Sequence, residues 1–282
     1  MRVIINADDF GYSPQVNEAI EKAIISKKIS STTIMANAPY FVEAVSIAKK
    51  YDCISYGVHL NLIEFQSLSN NGVLEKYQLI DQNGNFIKGA IRRIKEFPRE
   101  LTVAIKEEWT AQINTVIKAG IRVSHIDSHQ HTHNIPALQD ILLEIMDEFG
   151  IKKCRRRCYL SLFKMLRSRK YVTPKYSTLV SKTSEKHKFF NKFVNHIIYL
   201  PLHQKKWISR AKKNICLPDE ILSYQWFVQD IKNFSYLYSD KTIELECHPG
   251  LMPNLEETNL LMQDEIRKYM PDYILITYCD LV

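Results

Sequence analysis

Short runs rich in β-branched residues alternate along the chain with longer segments of helical periodicity, and this alternation constrains the fold more than any other feature. It is typical of βα units, which place parallel strands in one sheet and helices on its faces. The predicted strands are residues 2–7, 31–37, 54–62, 121–127, 242–248 and 272–278. The predicted helices are residues 14–26, 40–51, 99–119, 135–149 and 255–270. We therefore predict an α/β fold built on a parallel sheet.

Ionisable side chains collect at the carboxyl ends of four predicted strands. Asp8 and Asp9 follow the first strand, His59 lies near the end of the third, and His248 ends the strand at 242–248. The stretch HIDSHQHTH, residues 125–133, spans the end of the strand at 121–127. In sheets and barrels of this class the loops at this edge converge, and ligands bind there. The pattern predicts one functional site at this edge.

The stretch HIDSHQHTH offers five potential metal ligands at alternate positions, namely His125, Asp127, His129, His131 and His133. In one continuous strand they would share a face and extend over roughly 26 Å at ~3.3 Å per residue, which is too far for one ion. The strand must therefore end inside the stretch, and only some of these residues can be ligands. One carboxylate and two imidazoles from three strands would suit a catalytic zinc or another divalent transition metal.

The adjacent carboxylates Asp8 and Asp9 indicate two different roles at such a site. Consecutive residues that leave a strand point in different directions, so one can bind the metal while the other stays free. Metal-assisted hydrolysis uses a general base that is not itself a ligand.

Four motifs together resemble those of the YdjC-like carbohydrate deacetylases, the family of the chitooligosaccharide deacetylases. They are NADDFG (6–11), GVHLNL (57–62), HIDSHQHTH (125–133) and ECHPG (246–250). The resemblance covers residues 6 to about 250. It implies a single (β/α) barrel domain over residues 1–282, distorted and seven-stranded like that of the polysaccharide deacetylases. The basic, largely helical segment at about 151–240 would be an insertion-like part that varies within the family.

The same resemblance implies roles for individual residues. Asp9, His59 and His129 would hold a divalent ion, with magnesium or zinc expected first and manganese, cobalt or nickel as alternatives. Asp8 would be the general base, and His248 the acid that protonates the leaving amine. The reaction would be hydrolysis of an N-acetyl group on an amino sugar or oligosaccharide, either free or lipid-linked. The other members of the histidine stretch would orient ligands or face the substrate, namely His125, Asp127, His131 and His133.

Residues 151–213 carry 19 lysines and arginines against a single acid, Glu185. Such a charge run is usually a solvated face, but aromatic and aliphatic residues interleave with the charges, which also suits contact with anionic lipid or an anionic polymer. One alternative function is therefore a non-catalytic protein that binds polyanions or membrane surfaces and keeps a vestigial metal site. A non-haem iron oxygenase with the same ligand types is another, which the βα alternation disfavours.

Several expectations concern surroundings and partners. The six cysteines are scattered, and the first residues do not resemble a secretory signal, so we expect a cytoplasmic protein. No run approaches the ~20 apolar residues that a membrane-spanning helix needs. The sequence leaves the oligomeric state open, with a homodimer as one possibility because it is common for such barrels, and we expect no nucleic-acid partner.

Overall fold

The computed structural model describes residues 1–69, 72–155, 207–209, 211, 214–234, 239–252 and 255–282. Two compact units are distinguished, one of Met1–Arg156 and Asn214–Val282 and the other of Arg157–Lys213. Within the second unit the description covers a helical segment at 207–209 and Ala211, and both Trp207 and Ala211 are buried. The first unit contains the sheet.

The sheet has seven strands, and all of its strand pairs are parallel. The strands are β1 (Arg2–Phe10), β2 (Ser31–Ile34), β3 (Ser55–Leu60), β4 (Val123–Ser128), β5 (Glu220–Ser223), β6 (Thr242–Cys247) and β7 (Ile274–Leu275). Their order is β4-β3-β2-β1-β6-β5, and β7 also pairs with β1. The predicted α/β fold with a seven-stranded parallel sheet is confirmed.

Hydrogen bonds also connect the two ends of this strand order. The Lys153 carbonyl accepts from the N–H of Ile126 in β4 at 3.1 Å, and the Arg155 N–H donates to the Ile126 carbonyl at 3.0 Å. Cys216, shortly before β5, exchanges two further backbone bonds with this segment, donating to Lys152 at 2.7 Å and accepting from Cys154 at 3.3 Å. The segment that ends at Arg155 therefore lies between β4 and the chain that enters β5, as in a distorted barrel.

Helices follow most of the strands. They are α1 (Pro14–Ile25), α2 (Phe41–Ala48), α3 (Gly72–Lys76), α4 (Arg99–Lys118), α5 (Gln139–Glu148), α6 (Tyr224–Phe234), α7 (Leu255–Met262) and α8 (Glu265–Tyr269). Short 3₁₀ helices cover Ala90–Arg93, His129–Asn134, Pro136–Leu138 and Tyr278–Asp280. At the start of α1 the Ser13 hydroxyl accepts from the Val16 N–H at 3.2 Å, and Pro14 occupies the first turn, where its missing N–H costs no hydrogen bond. No helix in the described ranges is long and apolar enough to cross a membrane.

The predicted strands at 31–37 and 272–278 are shorter in the structure, as β2 and β7, and three predicted helical segments also differ. The predicted helix at 255–270 divides into α7 and α8, because Asp264 between them has a left-handed φ of 55°. The predicted helix at 135–149 begins as α5 only at Gln139, after two 3₁₀ turns. The predicted helical insertion at about 151–240 includes β5 and α6, which belong to the first unit, and most of its remainder lies outside the described residues.

Gly57 in β3 provides a test of how tightly the interior is packed. A Cβ at this position would lie 2.6 Å from His125 Cε1 and 2.7 Å from Thr33 Cγ2. The imidazole cannot easily retreat, because it stacks on the Tyr278 ring at 3.7 Å. We predict that Gly57→Ala lowers the free energy of unfolding by about 1–3 kcal/mol in urea denaturation. The matched control is Gly72→Ala in α3, where a Cβ meets nothing within 4 Å and stability should not fall.

Candidate metal centre

Three side chains that the sequence predicts as metal ligands meet at the carboxyl edge of the sheet. Asp9 Oδ1 lies 2.8 Å from His129 Nδ1 and 3.2 Å from His59 Nε2. One potential ligand atom from each residue lies within 4.8 Å of the others, and all three residues are buried. The structure thus assembles the Asp9, His59 and His129 group from three separate strand ends.

The backbone at each strand end explains this convergence. The register of β1 against β2 shifts between Ala7 and Phe10, and Asp9 has a left-handed φ of 66°. A bulge of this kind re-aims side chains, and Asp9 Oδ1 here faces ring nitrogens of both His59 and His129. His59 lies near the end of β3, and His129 is the first residue after β4.

The donor set fits a divalent cation. Asp9 Oδ1 faces a ring nitrogen of each histidine, and such an arrangement needs either protons or a cation between the acceptors. Asp9 Oδ2 is buried and has no hydrogen-bond partner among the residues that the structure describes. An unpaired buried carboxylate oxygen is costly in protein interiors, and coordination to a metal would satisfy it.

The outer ring nitrogens of the two histidines also have acidic neighbours. His59 and Asp127 are register partners on β3 and β4, and His59 Nδ1 lies 2.6 Å from Asp127 Oδ1. The second oxygen of Asp127 accepts from the Thr33 hydroxyl at 3.0 Å. His129 Nε2 lies 3.8 Å from Glu64 Oε2. The contact with Asp127 directs His59 Nε2 towards Asp9, as carboxylates commonly orient imidazole ligands of metals.

The guanidinium of Arg155 contacts Asp8 and two other buried acids. It forms a bidentate pair with Asp8, at 2.7 Å to Oδ2 and 2.6 Å to Oδ1. It also lies 2.9 Å from Asp127 Oδ2 and 2.8 Å from Glu244 Oε1. Burial alone would raise the pKa of Asp8, but the charge of Arg155 and its hydrogen bonds outweigh burial and hold that pKa well below its usual value.

A second group, formed by Asp8, His59 and Asp127, also has ligand atoms close enough for one ion. Arg155 already neutralises both carboxylates of this group, each at less than 3 Å. Asp9 makes no such contact with Arg155 within the described part of the chain. The cation therefore fits the Asp9, His59 and His129 group and not the second one.

His248 follows β6 and borders Asp8 from a different direction. Its Nε2 lies 3.9 Å from Asp8 Oδ2, and its Nδ1 lies 3.5 Å from Glu257 Oε2. The side chain is 34% exposed, so that one edge of the ring is accessible to a ligand. Burial lowers the pKa of His248, but the hydrogen bond to Glu257 and the nearby acidic charges raise it to about 10. His248 is therefore an imidazolium at neutral pH.

The other predicted residues of the histidine stretch have separate positions. His125 is fully buried in the core, with Nδ1 2.7 Å from the Ser124 hydroxyl and its ring stacked on Tyr278. His131 is partly exposed, and its Nε2 lies 3.4 Å from Glu246 Oε2. His133 Nδ1 lies 2.5 Å from the hydroxyl of Ser128, the last residue of β4. None of these three belongs to the groups of potential ligands found within the described residues.

Comparison with known proteins places this geometry in a family. The profile of the YdjC-like protein family matches residues 2–272 of the chain. The chain belongs to this family. A carbohydrate deacetylase of Brevibacillus brevis is 36% identical over 151 residues, which are 54% of this chain and 58% of that protein. The YdjC-like chain thus matches less than two thirds of the length of this relative.

Two matches from Enterococcus faecalis extend the comparison over nearly the whole YdjC-like chain. A carbohydrate deacetylase is 28% identical over 291 residues, covering 95% of this chain and 92% of its own. A crystal structure described as that of a cellobiose-phosphate cleavage protein has a TM-score of 0.69 at 22% identity, and the match covers 98% of this chain and 97% of that one. The structural likeness shows that the two proteins share a fold.

Sequence reasoning missed two charged residues that shape the site of this YdjC-like protein. Arg155 lies at the start of the basic segment, where the sequence does not distinguish it from the many other cations. Glu257 lies nine residues after His248, in the first turn of α7, where acids are common for reasons of helix stability. The sequence offered one signal for Arg155, since several buried acids at one edge of a sheet need a buried cation.

Arg155→Met should be strongly destabilising, because it leaves Asp8, Asp127 and Glu244 without their shared guanidinium. We predict a loss of about 3–5 kcal/mol in the free energy of unfolding at pH 7, measured by urea denaturation with a chelator present. In the wild type the lowered pKa of Asp8 makes the pair stabilising above the unfolded pKa, and this stability is lost as the pH falls. In the variant, the unpaired buried acids would take up protons at higher pH, so the difference from wild type should shrink at pH 5.

The control for this prediction is Arg93→Met, which removes an exposed cation and should change stability little. Equal losses for the two variants, or a loss at Arg155 that does not depend on pH, would contradict the role given to the buried guanidinium.

Proposed function

We propose that this YdjC-like protein is a metal-dependent carbohydrate deacetylase that hydrolyses the N-acetyl group of an amino sugar. The observation that carries the proposal is the buried Asp9, His59 and His129 group, which has an unpaired Asp9 oxygen within the described residues and lies beside Asp8 and His248. The names of the relatives, carbohydrate deacetylases, support a sugar substrate.

The metal would be held by Asp9, His59 and His129. A divalent ion there would polarise the acetyl carbonyl and lower the pKa of water. Imidazole ligands suit zinc and nickel, whereas magnesium prefers oxygen ligands, so we propose zinc ahead of magnesium, manganese or cobalt. The contact between His59 and Asp127 would keep the imidazole in the orientation that binding requires.

Asp8 would accept the proton of the attacking water. Arg155 fixes both of its oxygens, and Asn6 donates a further hydrogen bond to Oδ1 at 2.8 Å, so the carboxylate is ionised and held in one orientation. Since these contacts also lower its affinity for a proton, Asp8 would pass the proton on and not retain it. His248 Nε2, 3.9 Å from Asp8 Oδ2, would take up this proton only after the imidazolium has given its own proton to the leaving nitrogen.

His248 would donate a proton to the leaving nitrogen. Its imidazolium state at neutral pH and its partly exposed edge suit a general acid. When the C–N bond of the amide breaks, the bonding electrons go to nitrogen, which takes the proton from Nε2. Water supplies the second oxygen of acetate, and the sugar leaves as a free amine.

Asp9→Ala and His129→Ala should remove both bound metal and activity. We expect metal content, measured by elemental analysis, to fall below one half of the wild-type value. We also expect acetate release to fall by at least about a hundredfold, because the Lewis acid supplies several kcal/mol. The substrates are a panel of N-acetylated amino sugars tested with zinc, nickel, cobalt, manganese and magnesium after chelator treatment. Asp52→Ala, at an exposed position, is the matched control.

The outcomes separate the alternatives. Full metal content and full activity in both variants would contradict the proposed site. Bound metal without acetate release from any sugar would favour the non-catalytic binding protein, and metal-dependent oxygen consumption would favour the oxygenase.

The basic segment supports a further part of the proposal, a substrate held at an anionic surface such as a lipid-linked sugar. The support comes from the sequence alone, since residues 156–206 lie outside those described. A variant with Lys164, Arg167, Arg169 and Lys170 changed to glutamine should float less with vesicles that contain anionic lipid, and wild-type binding should weaken in high salt. Unchanged flotation would contradict the surface contact and leave the deacetylase proposal intact. The cytoplasmic location and the homodimer stay predictions.

A further inference from the structure

Glu257 is a buried acid that contacts His248. It lies in the first turn of α7 and is 2% exposed. A buried carboxylate is costly unless it is paired. Glu257 Oε2 accepts a hydrogen bond from the backbone N–H of His248 at 2.9 Å and lies 3.5 Å from Nδ1 of the same residue. The carboxylate thus contacts both the main chain and the ring of His248.

The next residue of α7 holds the same loop at a second point. The Thr258 hydroxyl accepts from the N–H of Gly250 at 2.9 Å. Gly250 has a φ of 76°, and a Cβ there would lie 2.4 Å from the Gln15 carbonyl oxygen, so only glycine fits. The backbone of the loop from His248 to Gly250 is therefore fixed against α7 and α1.

The two ring nitrogens of His248 have different surroundings. Nδ1 lies 3.5 Å from Glu257 Oε2, and Nε2 lies 3.9 Å from Asp8 Oδ2. The acidic groups that act on the ring from the packed elements are Glu257 of α7, Asp8 and Asp9 of β1, and Glu246 of β6. Glu257 is closer to the ring than Asp8 is, at 3.5 Å from Nδ1 against 3.9 Å from Nε2.

We propose that Glu257 is a positioning residue that receives Nδ1–H of His248 and so directs Nε2–H towards the substrate nitrogen. A carboxylate that fixes the tautomer and the orientation of an imidazole is a common device in catalytic and metal sites. The part of the inference that concerns the substrate rests on the deacetylase function proposed above. The part that concerns the Glu257–His248 pair does not.

The test compares Glu257→Gln with Glu256→Gln, an exposed neighbour on the same helix. The glutamine at 257 keeps an acceptor for the backbone N–H but loses the charge. We expect kcat for acetate release to fall roughly 10–100-fold with little change in KM, and the alkaline limb of the pH profile to move to lower pH. Metal content and the thermal midpoint should stay close to wild type, and Glu256→Gln should match wild type throughout.

Two measurements distinguish positioning from a structural role. Histidine-selective NMR of the metal-free protein, with the His248 signal assigned from His248→Ala, should show His248 titrating at lower pH in Glu257→Gln. The double variant should be no slower than His248→Ala alone. An unchanged His248 titration, or additive kinetic losses, would overturn the proposal. If no sugar releases acetate, the deacetylase function fails while the NMR result still decides whether Glu257 controls His248.

Discussion

A buried carboxylate must meet a positive charge or several hydrogen-bond donors, and the interior of this sheet contains Asp8, Asp9, Asp127 and Glu244. Arg155 contacts all of them except Asp9. The position of this one guanidinium therefore divides the acids into two kinds. Asp8, Asp127 and Glu244 are paired with Arg155, whereas Asp9 faces two imidazoles and has an oxygen without a partner among the described residues. Because that oxygen needs a cation, the candidate metal centre follows from how the fold distributes charge.

The same division explains how two adjacent aspartates acquire different surroundings. A regular strand would point Asp8 and Asp9 to opposite faces of the sheet, and both faces of β1 are buried. The register shift at the end of β1 and the left-handed φ of Asp9 change the direction in which its carboxylate points. Arg155 then holds Asp8, and the histidines of β3 and the turn after β4 surround Asp9. Backbone geometry and one ion pair together separate a candidate base from a candidate ligand.

The sequence was sufficient to predict the parallel sheet and to place ionisable residues at its carboxyl edge, because both follow from local patterns. Because β1, β3 and β4 are parallel, their carboxyl ends bring Asp9, His59 and His129 to the same edge of the sheet. Arg155 could not be predicted in this way, since its contact with Asp8 spans 147 positions and depends on the segment that lies beside β4. The strand β5 was missed because EILS is only four residues long and carries no clear alternation.

The positions of the candidate ligands also couple metal binding to the stability of the sheet. In the order β4-β3-β2-β1, Asp9 is at one end of four neighbouring strands and His129 follows the strand at the other end. Burial lowers the pKa of His59, but Asp127 and Asp9 outweigh burial and raise it. A divalent ion would compete with protons for these groups and would join the ends of β1, β3 and β4 through side chains that are already buried. Any free energy of ion binding therefore adds to the stability of the folded sheet, because the unfolded chain cannot bring these three residues together.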